Sequence, residues 1–341
     1  MARDEPPMSG ENQNIATMAE KASREIFEVF GWKQVGPKNQ NWACVDQEKH
    51  DRKRSKTHPS DVVFRYEDPW SGKDVYVSSD LKSYARGTIA QQPVAAALRG
   101  VARAVECANR SEEFQHLYVN AAHPCHVIGM LFVYNHDNGY DEDFNQLMEN
   151  LNPSQVDVAA SNRVGVVGPK RVIYLNTIAK DILIAQGRKG ELGPDIECEF
   201  FYPNLQTVRF AKTTSPVANL ETLLCPWLVM RYAKPTVGVS EPGYFVYSDG
   251  RGGSVDEFQY LLDYLFKYQI ATDRVRISIR TAFACPEAAA LFEKAKETYA
   301  EDYWPIANVS PEQVRRRMAN IELHTITSLV PRFSEVELGM E

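Results

Sequence analysis

The sequence predicts an α/β chain in two parts: a mixed central sheet flanked by helices over residues 12–215, then a smaller α+β domain over 216–341. Three observations carry this. Helical periodicity opens the chain, with apolar residues at Ile15, Met18, Ala19, Ala22, Ile26, Val29 and Phe30. A nearly all-apolar run, HVIGMLFVY (His126–Tyr134), has the composition of a strand covered on both faces. Past residue 216 a second cycle of strands and helices begins. At 341 residues, 44% hydrophobic and 24% charged, the chain is long enough and apolar enough for about two domains with real cores.

The elements follow in order. Residues 1–11 are polar and contain two prolines, with no apolar stretch behind the charges. They read as a disordered lead-in, not a secretory signal. A helix over Ile15–Phe30 stops at Gly31, and a basic loop, KHDRKRSKTH (Lys49–His58), follows. Strands are expected at Asp61–Arg65 and Asp74–Tyr84, joined by the turn EDPWSGK. Gln92–Asn109 is an alanine-rich amphipathic helix, and His126–Tyr134 is the buried strand. Asp141 is expected to cap a helix through Asn150. RVGVVGPKRVIYLN reads as two short strands about a Gly-Pro turn, leading into a helix over Thr177–Gln186. AKTTSPVA (Ala211–Ala218) is the expected boundary. Beyond it come strands at Trp227–Tyr232 and Tyr244–Tyr247, a helix Val255–Gln269, a strand Arg274–Arg280, a helix Pro286–Ala300, and a basic helical piece, VRRRMANIELHTI.

Composition narrows the function classes. The net charge of −7 argues against a generally basic nucleic-acid coat, while leaving room for a local basic patch. No window approaches 18 apolar residues, so no membrane span is expected. Six cysteines scattered singly, with no CxxC pair, read as reduced, mostly buried thiols of a cytoplasmic protein.

The stretch VYVSSDLKSYA (Val75–Ala85) carries the sharpest chemistry. Strand alternation puts Val75, Val77 and Leu81 on one face and Tyr76, Ser78, Asp80, Lys82 and Tyr84 on the other. If the preceding strand pairs back across the Pro69–Gly72 turn, Asp61 approaches Asp80. Two converging carboxylates repel unless a cation lies between them, and Mg²⁺ suits such oxygen ligands. A lysine one pleat on can orient or deprotonate a water held there.

Asp61, followed nineteen positions on by Asp80-Leu81-Lys82, resembles the PD-(D/E)xK nuclease superfamily, the restriction-endonuclease-like fold, over roughly residues 12–150 and perhaps to 190. The resemblance implies a metal-dependent endonuclease that hydrolyses phosphodiester bonds, most often of DNA. Asp61 and Asp80 would bind Mg²⁺, with Mn²⁺ able to substitute, helped by the Leu81 carbonyl. Lys82 would prepare the water. A first-helix acid would join them: Glu20, or Glu25 as second choice. The "PD" departs from the pattern, with Pro59 one place early and Ser60 before Asp61. Lys53, Arg54 and Lys56 of the basic loop, with Tyr84 and Arg86, are candidate nucleic-acid contacts. The resemblance further implies a homo-oligomer, a protein partner controlling activity, and a role as an anti-phage or restriction effector. Residues 216–341 would then serve oligomerisation, partner docking or substrate choice. A catalytically inactive nuclease-fold subunit that binds a protein partner or nucleic acid is the alternative.

Other motifs have plainer readings. SDGRGGSVDE (Ser248–Glu257) could receive a phosphate at a helix N-terminus, which would place a different hydrolase site in the second domain. Ser254 and Glu257 already form an S-x-x-E capping pattern there. HPCH (His123–His126) lacks the further ligand pair that a zinc site needs. DNGYDED (Asp137–Asp143) reads as a turn and cap, and Arg315, Arg316 and Arg317 as a solvated helix face.

Overall fold

The computed structural model describes residues 10–50, 56–120, 123–156, 159, 162–203, 214–236, 239–307 and 309–331. They divide into two compact units. The first runs to Asn176 and takes in Val330 and Pro331; the second spans Thr177–Leu329. No helix among the described residues is long and apolar enough to cross a membrane.

The first unit contains, in chain order, α1 (Gly10–Val29), β1 (Lys33–Val35), β2 (Gln40–Ala43), β3 (Thr57–Ser60), β4 (Val62–Glu67), β5 (Asp74–Tyr84), α2 (Gln91–Ala108), α3 (Glu112–Tyr118), β6 (Cys125–Asn135), α4 (Phe144–Glu149), α5 (Pro153–Val156), β7 (Val164–Val167) and the start of α6 (Pro169–Ala185). Five strands form one mixed sheet in the order β1-β4-β5-β6-β7. β1, β4 and β5 pair antiparallel, while β5, β6 and β7 pair parallel. β2 and β3 make a separate two-stranded ladder.

The central strand β5 is buried from Asp74 through Ser79 and only half-buried from Asp80 on. Its two faces have different neighbours. Phe64 lies opposite Val77 on β4, and Phe132 opposite Leu81 on β6. Phe27 of α1 packs edge-on against both phenyl rings, at 5.3 and 6.1 Å. On the other face Val63, Tyr76 and Val127 pack with Ala104, Cys107 and Ala108 of α2. Gly129 on β6 lets α2 come this close: a Cβ there would sit 2.5 Å from Val101 Cγ1.

The second unit contains β8 (Cys198–Phe201), β9 (Thr214–Ser215), α7 (Leu220–Leu224), β10 (Trp227–Thr236), β11 (Val239–Ser248), α8 (Val255–Lys267), β12 (Arg276–Thr281), α9 (Ala288–Ala307), α10 (Pro311–Met318) and β13 (Ile321–Thr325). Its six-stranded sheet runs β13-β12-β11-β10-β8-β9, parallel on the β11–β13 side and antiparallel on the other. α8, α9 and α10 bury Leu261, Leu262, Leu265, Phe292, Ala295 and Val314 against it.

Several expectations shift. Residues 198–201 and 214–215 pair into the second sheet, because β8 bonds to β10 and β9 to β8, and the two compact units divide near 176, ahead of the expected 215. RVIYLN is helical: Pro169 opens α6, where its missing N–H costs nothing, and Val172, Leu175, Ile178 and Ile182 form one buried stripe. The cap of α4 is Asp143, whose Oδ1 accepts from Asn145 N at 2.9 Å and Gln146 N at 3.2 Å; Asp141 instead pairs with Arg86 at 2.8 Å. The basic C-terminal piece is a helix only to Met318 and then a strand, IELHT. α1 begins at Gly10, and the rest of the expected lead-in lies outside the described residues.

Candidate active site

Asp61 occupies the bend between β3 and β4, and three backbone-directed bonds fix it there. Its N–H donates to Ser79 O at 3.2 Å, its carbonyl accepts from Asn39 N at 2.9 Å, and its carboxylate Oδ2 accepts from Leu81 N at 2.7 Å. The β4–β5 register pairs Val62 with Ser79 and Val63 with Ser78. One step further along, Asp61 faces Asp80. Burial, then the neighbouring Asp80 charge, push the Asp61 carboxyl up to about 6, against the smaller lowering pull of the Leu81 N–H and of Lys82.

Asp80 and Lys82 project from the same face and form an ion pair. Burial is the largest single influence on Lys82 and lowers its pKa, but Asp80 and Asp61 together outweigh it and the net shift is upward. Lys82 is therefore held as an ammonium. Tyr84 lies within reach of both charges, and burial raises its phenol.

Beyond these side chains lies a cleft of about 270 Å³, lined by Pro59, Ser78, Asp80 and Lys82 on one wall and by Ala96, Ala97 and Gly100 of α2 on the other. The space exists because the facing turn of α2 is built of residues with almost no side chain. A hydroxyl chain supports the floor: Trp42 Nε1 donates to Ser60 Oγ at 3.0 Å, and Ser60 Oγ lies 2.9 Å from Ser78 Oγ. Sequence reading missed this wall. AAALRG reads as a helix either way, and its small residues mark a void only once it is known what they face.

The remaining candidates are placed as follows. Glu20 pairs with Lys38, next to the Asn39 that bonds Asp61. Among the described residues no third carboxylate gathers with Asp61 and Asp80 into a metal-sized group, so neither Glu20 nor Glu25 does so in this geometry. Leu81 contributes its N–H to Asp61. Lys56 is exposed just before β3, whereas Lys53 and Arg54 lie outside the described residues. Arg86 is exposed, anchored by its N–H to Asp137 Oδ2 at 2.9 Å, and ion-paired with Asp141.

The rival loop in the second unit is closed. Glu257 Oε1 accepts from Gly252 N at 2.9 Å and Oε2 from Gly253 N at 3.0 Å, so the donors that would greet a phosphate already hold a carboxylate. Ser254 caps α8 as expected, accepting from Glu257 N at 3.2 Å. Arg315 pairs with Glu301, and Arg316 and Arg317 with Asp273.

Residues 8–171 match the family model of the PD-(D/E)XK nuclease domain of the GAPS4 protein. The match runs from α1 through β7 and takes in every strand of the first sheet. Over residues 8–171 the N-terminal unit is thus similar to a PD-(D/E)XK nuclease domain. No curated protein and no solved structure matches the chain significantly.

Proposed function

We propose that the chain is a Mg²⁺-dependent endonuclease acting on DNA, with Asp61, Asp80 and Lys82 as its working groups. The observation that carries this is the half-buried meeting of two carboxylates and one ammonium, of which Asp80 and Lys82 line an open cleft. The donor set fits a hard divalent cation. Asp61 is destabilised as a carboxylate by burial and by Asp80, and a cation would reverse both effects. Asp61 and Asp80 would hold the ion with the Leu81 carbonyl, and Mn²⁺ would serve in its place. When bound, such an ion lowers the pKa of water and neutralises charge on a phosphoryl group.

The chain's own residues supply positioning. The Leu81 N–H fixes the Asp61 carboxylate so that it does not rotate away from Asp80. The Lys82 ammonium, tethered to Asp80, presents N–H donors to the cleft, where a phosphate oxygen or the attacking water would lie. The bare wall of Ala96, Ala97 and Gly100 leaves room for a sugar–phosphate backbone. Tyr84 and Lys56 are further candidate contacts, and Glu20 is a candidate acid if it exchanges Lys38 for the ion.

The finer readings are a cytoplasmic setting, homo-oligomerisation, control by a protein partner, and action as an anti-phage effector with residues beyond the nuclease domain selecting partner or substrate. None of the six cysteines is in a disulfide, which supports a reducing compartment.

The test is metal-dependent cleavage of plasmid and single-stranded DNA by the full chain, with Asp80→Asn and Lys82→Ala beside wild type. Each variant should lose cleavage by at least about 100-fold while keeping its fold by circular dichroism. Full activity in both variants would refute the site. A wild type that binds neither Mg²⁺ nor Mn²⁺ would favour an inactive nuclease-fold subunit.

A further inference from the structure

A second cluster lies behind the cleft. Cys44, just after β2, His50 in the following loop, His58 on β3 and Cys107 on α2 are all buried, and one ligand atom from each lies within 4.8 Å of the others. Three edges of the cluster are 3.7 Å between Cys44 Sγ and Cys107 Sγ, 3.4 Å from Cys44 Sγ to His50 Nδ1, and 3.5 Å from Cys107 Sγ to His50 Nδ1. A tetrahedral ion with metal–sulfur bonds of about 2.3 Å and metal–nitrogen bonds of about 2.0–2.1 Å has sulfur–sulfur edges of about 3.8 Å and sulfur–nitrogen edges of about 3.5 Å. The three edges agree with that polyhedron. Thiols and imidazoles can hydrogen-bond in pairs without four ligand atoms converging on one point; coordination requires the convergence.

We propose that Cys44, His50, His58 and Cys107 bind a structural Zn²⁺. Two thiolates and two imidazoles in tetrahedral array favour zinc over the oxygen-seeking Mg²⁺ or Ca²⁺. The surroundings are those of a built site. His50 turns Nδ1 to the sulfurs and Nε2 to Glu106 Oε2, 3.1 Å away, and Lys49 in turn holds Glu106. A ligand imidazole whose far nitrogen donates to a carboxylate is fixed in tautomer and orientation. Arg103 Nη1 bonds the His50 carbonyl at 2.9 Å, and Trp42 packs its ring 5.0 Å from that of His58.

The placement gives the ion a task. β3 leads within three residues from His58 to Asp61, and α2 carries both Cys107 and the small-residue wall of the cleft. Zinc would pin the β2–β3 ladder to α2 and so hold the two sides of the cleft at a set separation. It would also clamp, at His50 and His58, both ends of the basic run that contains Lys53 and Arg54. The ligand order C-x5-H-x7-H-x48-C contains no CxxC pair. The proposal stands whether or not the chain cuts DNA.

The test is metal analysis of the full-length, tag-free chain expressed in zinc-supplemented medium. It should retain about one Zn²⁺ per chain after dialysis, released when a mercurial titrates the thiols. Co²⁺ exchanged into the site should show sulfur-to-cobalt charge-transfer absorption and the intense visible bands of a tetrahedral ion. Cys44→Ser and Cys107→Ser should lose the metal, and Asp80→Asn should keep it. Glu106→Gln, with all four ligands intact, should bind about 10–100-fold more weakly. A folded wild type that holds no zinc and takes up no Co²⁺ would overturn the proposal. So would a Cys44–Cys107 disulfide in chain purified under reducing conditions, or a Co²⁺ spectrum unchanged by Cys44→Ser.

Discussion

Two acid pairs, one in each unit, have the same inventory and opposite outcomes. In the second unit, Asp181 and Glu191 share Arg280. Its guanidinium reaches both carboxylates, lies 3.5 Å above the Phe245 ring, and is 7% exposed; Tyr247 adds a hydroxyl to Asp181 at 2.8 Å. In the first unit, Asp61 and Asp80 share Lys82, which pairs with Asp80 and leaves Asp61 pushed up to about 6. A planar fork can satisfy two acids, whereas a single ammonium satisfies one well. The difference teaches what separates the two charge clusters. The Arg280 cluster is closed on itself, and the cluster proposed as the active site keeps an electrostatic deficit at Asp61.

The largest effect should come from breaking the closed cluster. Arg280→Met should destabilise the second unit by about 3–5 kcal/mol in urea titrations, because the largely buried Asp181 loses the cation that it shares with the half-exposed Glu191. Adding Asp181→Asn should recover part of the loss. If Arg280→Met proves neutral, the contrast between the clusters collapses.

The open cluster should respond in the opposite direction. Asp61 has a folded pKa above its unfolded one, so between about pH 4 and pH 6 the folded state binds more protons and stability falls as pH rises. Above pH 6 the full penalty applies. In EDTA, Asp61→Asn should therefore stabilise the protein by on the order of 1–3 kcal/mol at pH 7.5 and by almost nothing at pH 3.5. The same change should abolish the rise in melting temperature that Mg²⁺ gives wild type. A destabilising effect in EDTA at pH 7.5 would contradict the electrostatic deficit.

A smaller effect is expected at the second unit's glycine turn. Glu257→Ala should cost about 1 kcal/mol, read from thermal melts, by freeing the Gly252 and Gly253 N–H groups that the carboxylate now satisfies. The smallest should come from Lys56→Ala, with stability unchanged within about 0.5 kcal/mol and the salt slope of DNA binding lowered by about one phosphate contact. An unchanged slope would remove Lys56 from the interface.

Much of the first unit was legible in the sequence, for local reasons. Asp74–Tyr84 is a strand over the expected residues, and alternation along it puts Asp80 and Lys82 on one face whatever surrounds it. The antiparallel return of β4 through a Pro/Gly turn brings Asp61 alongside. What failed was partnership. CEFF would read the same in either sheet, and RVIYLN suits a strand until Pro169 and the stripe it opens are seen packed. The zinc-like cluster was missed because Cys107 stands far along the chain from Cys44, His50 and His58, and no CxxC pair marks any of them.

The sequence by itself determined the period-2 and period-3.6 patterns, the DxK pair with its partner aspartate, and the scattering of cysteines. These follow from chain geometry that repeats every few residues. The tertiary structure alone decided that β5 is half-buried at the point where Asp80 begins, that a bare helix wall faces it across a cleft, and that Cys44, His50, His58 and Cys107 meet. Those depend on burial and on long-range approach, which sequence neighbours cannot encode. They turn two aspartates and a lysine from a strand-end motif into an electrostatic deficit beside an open cleft.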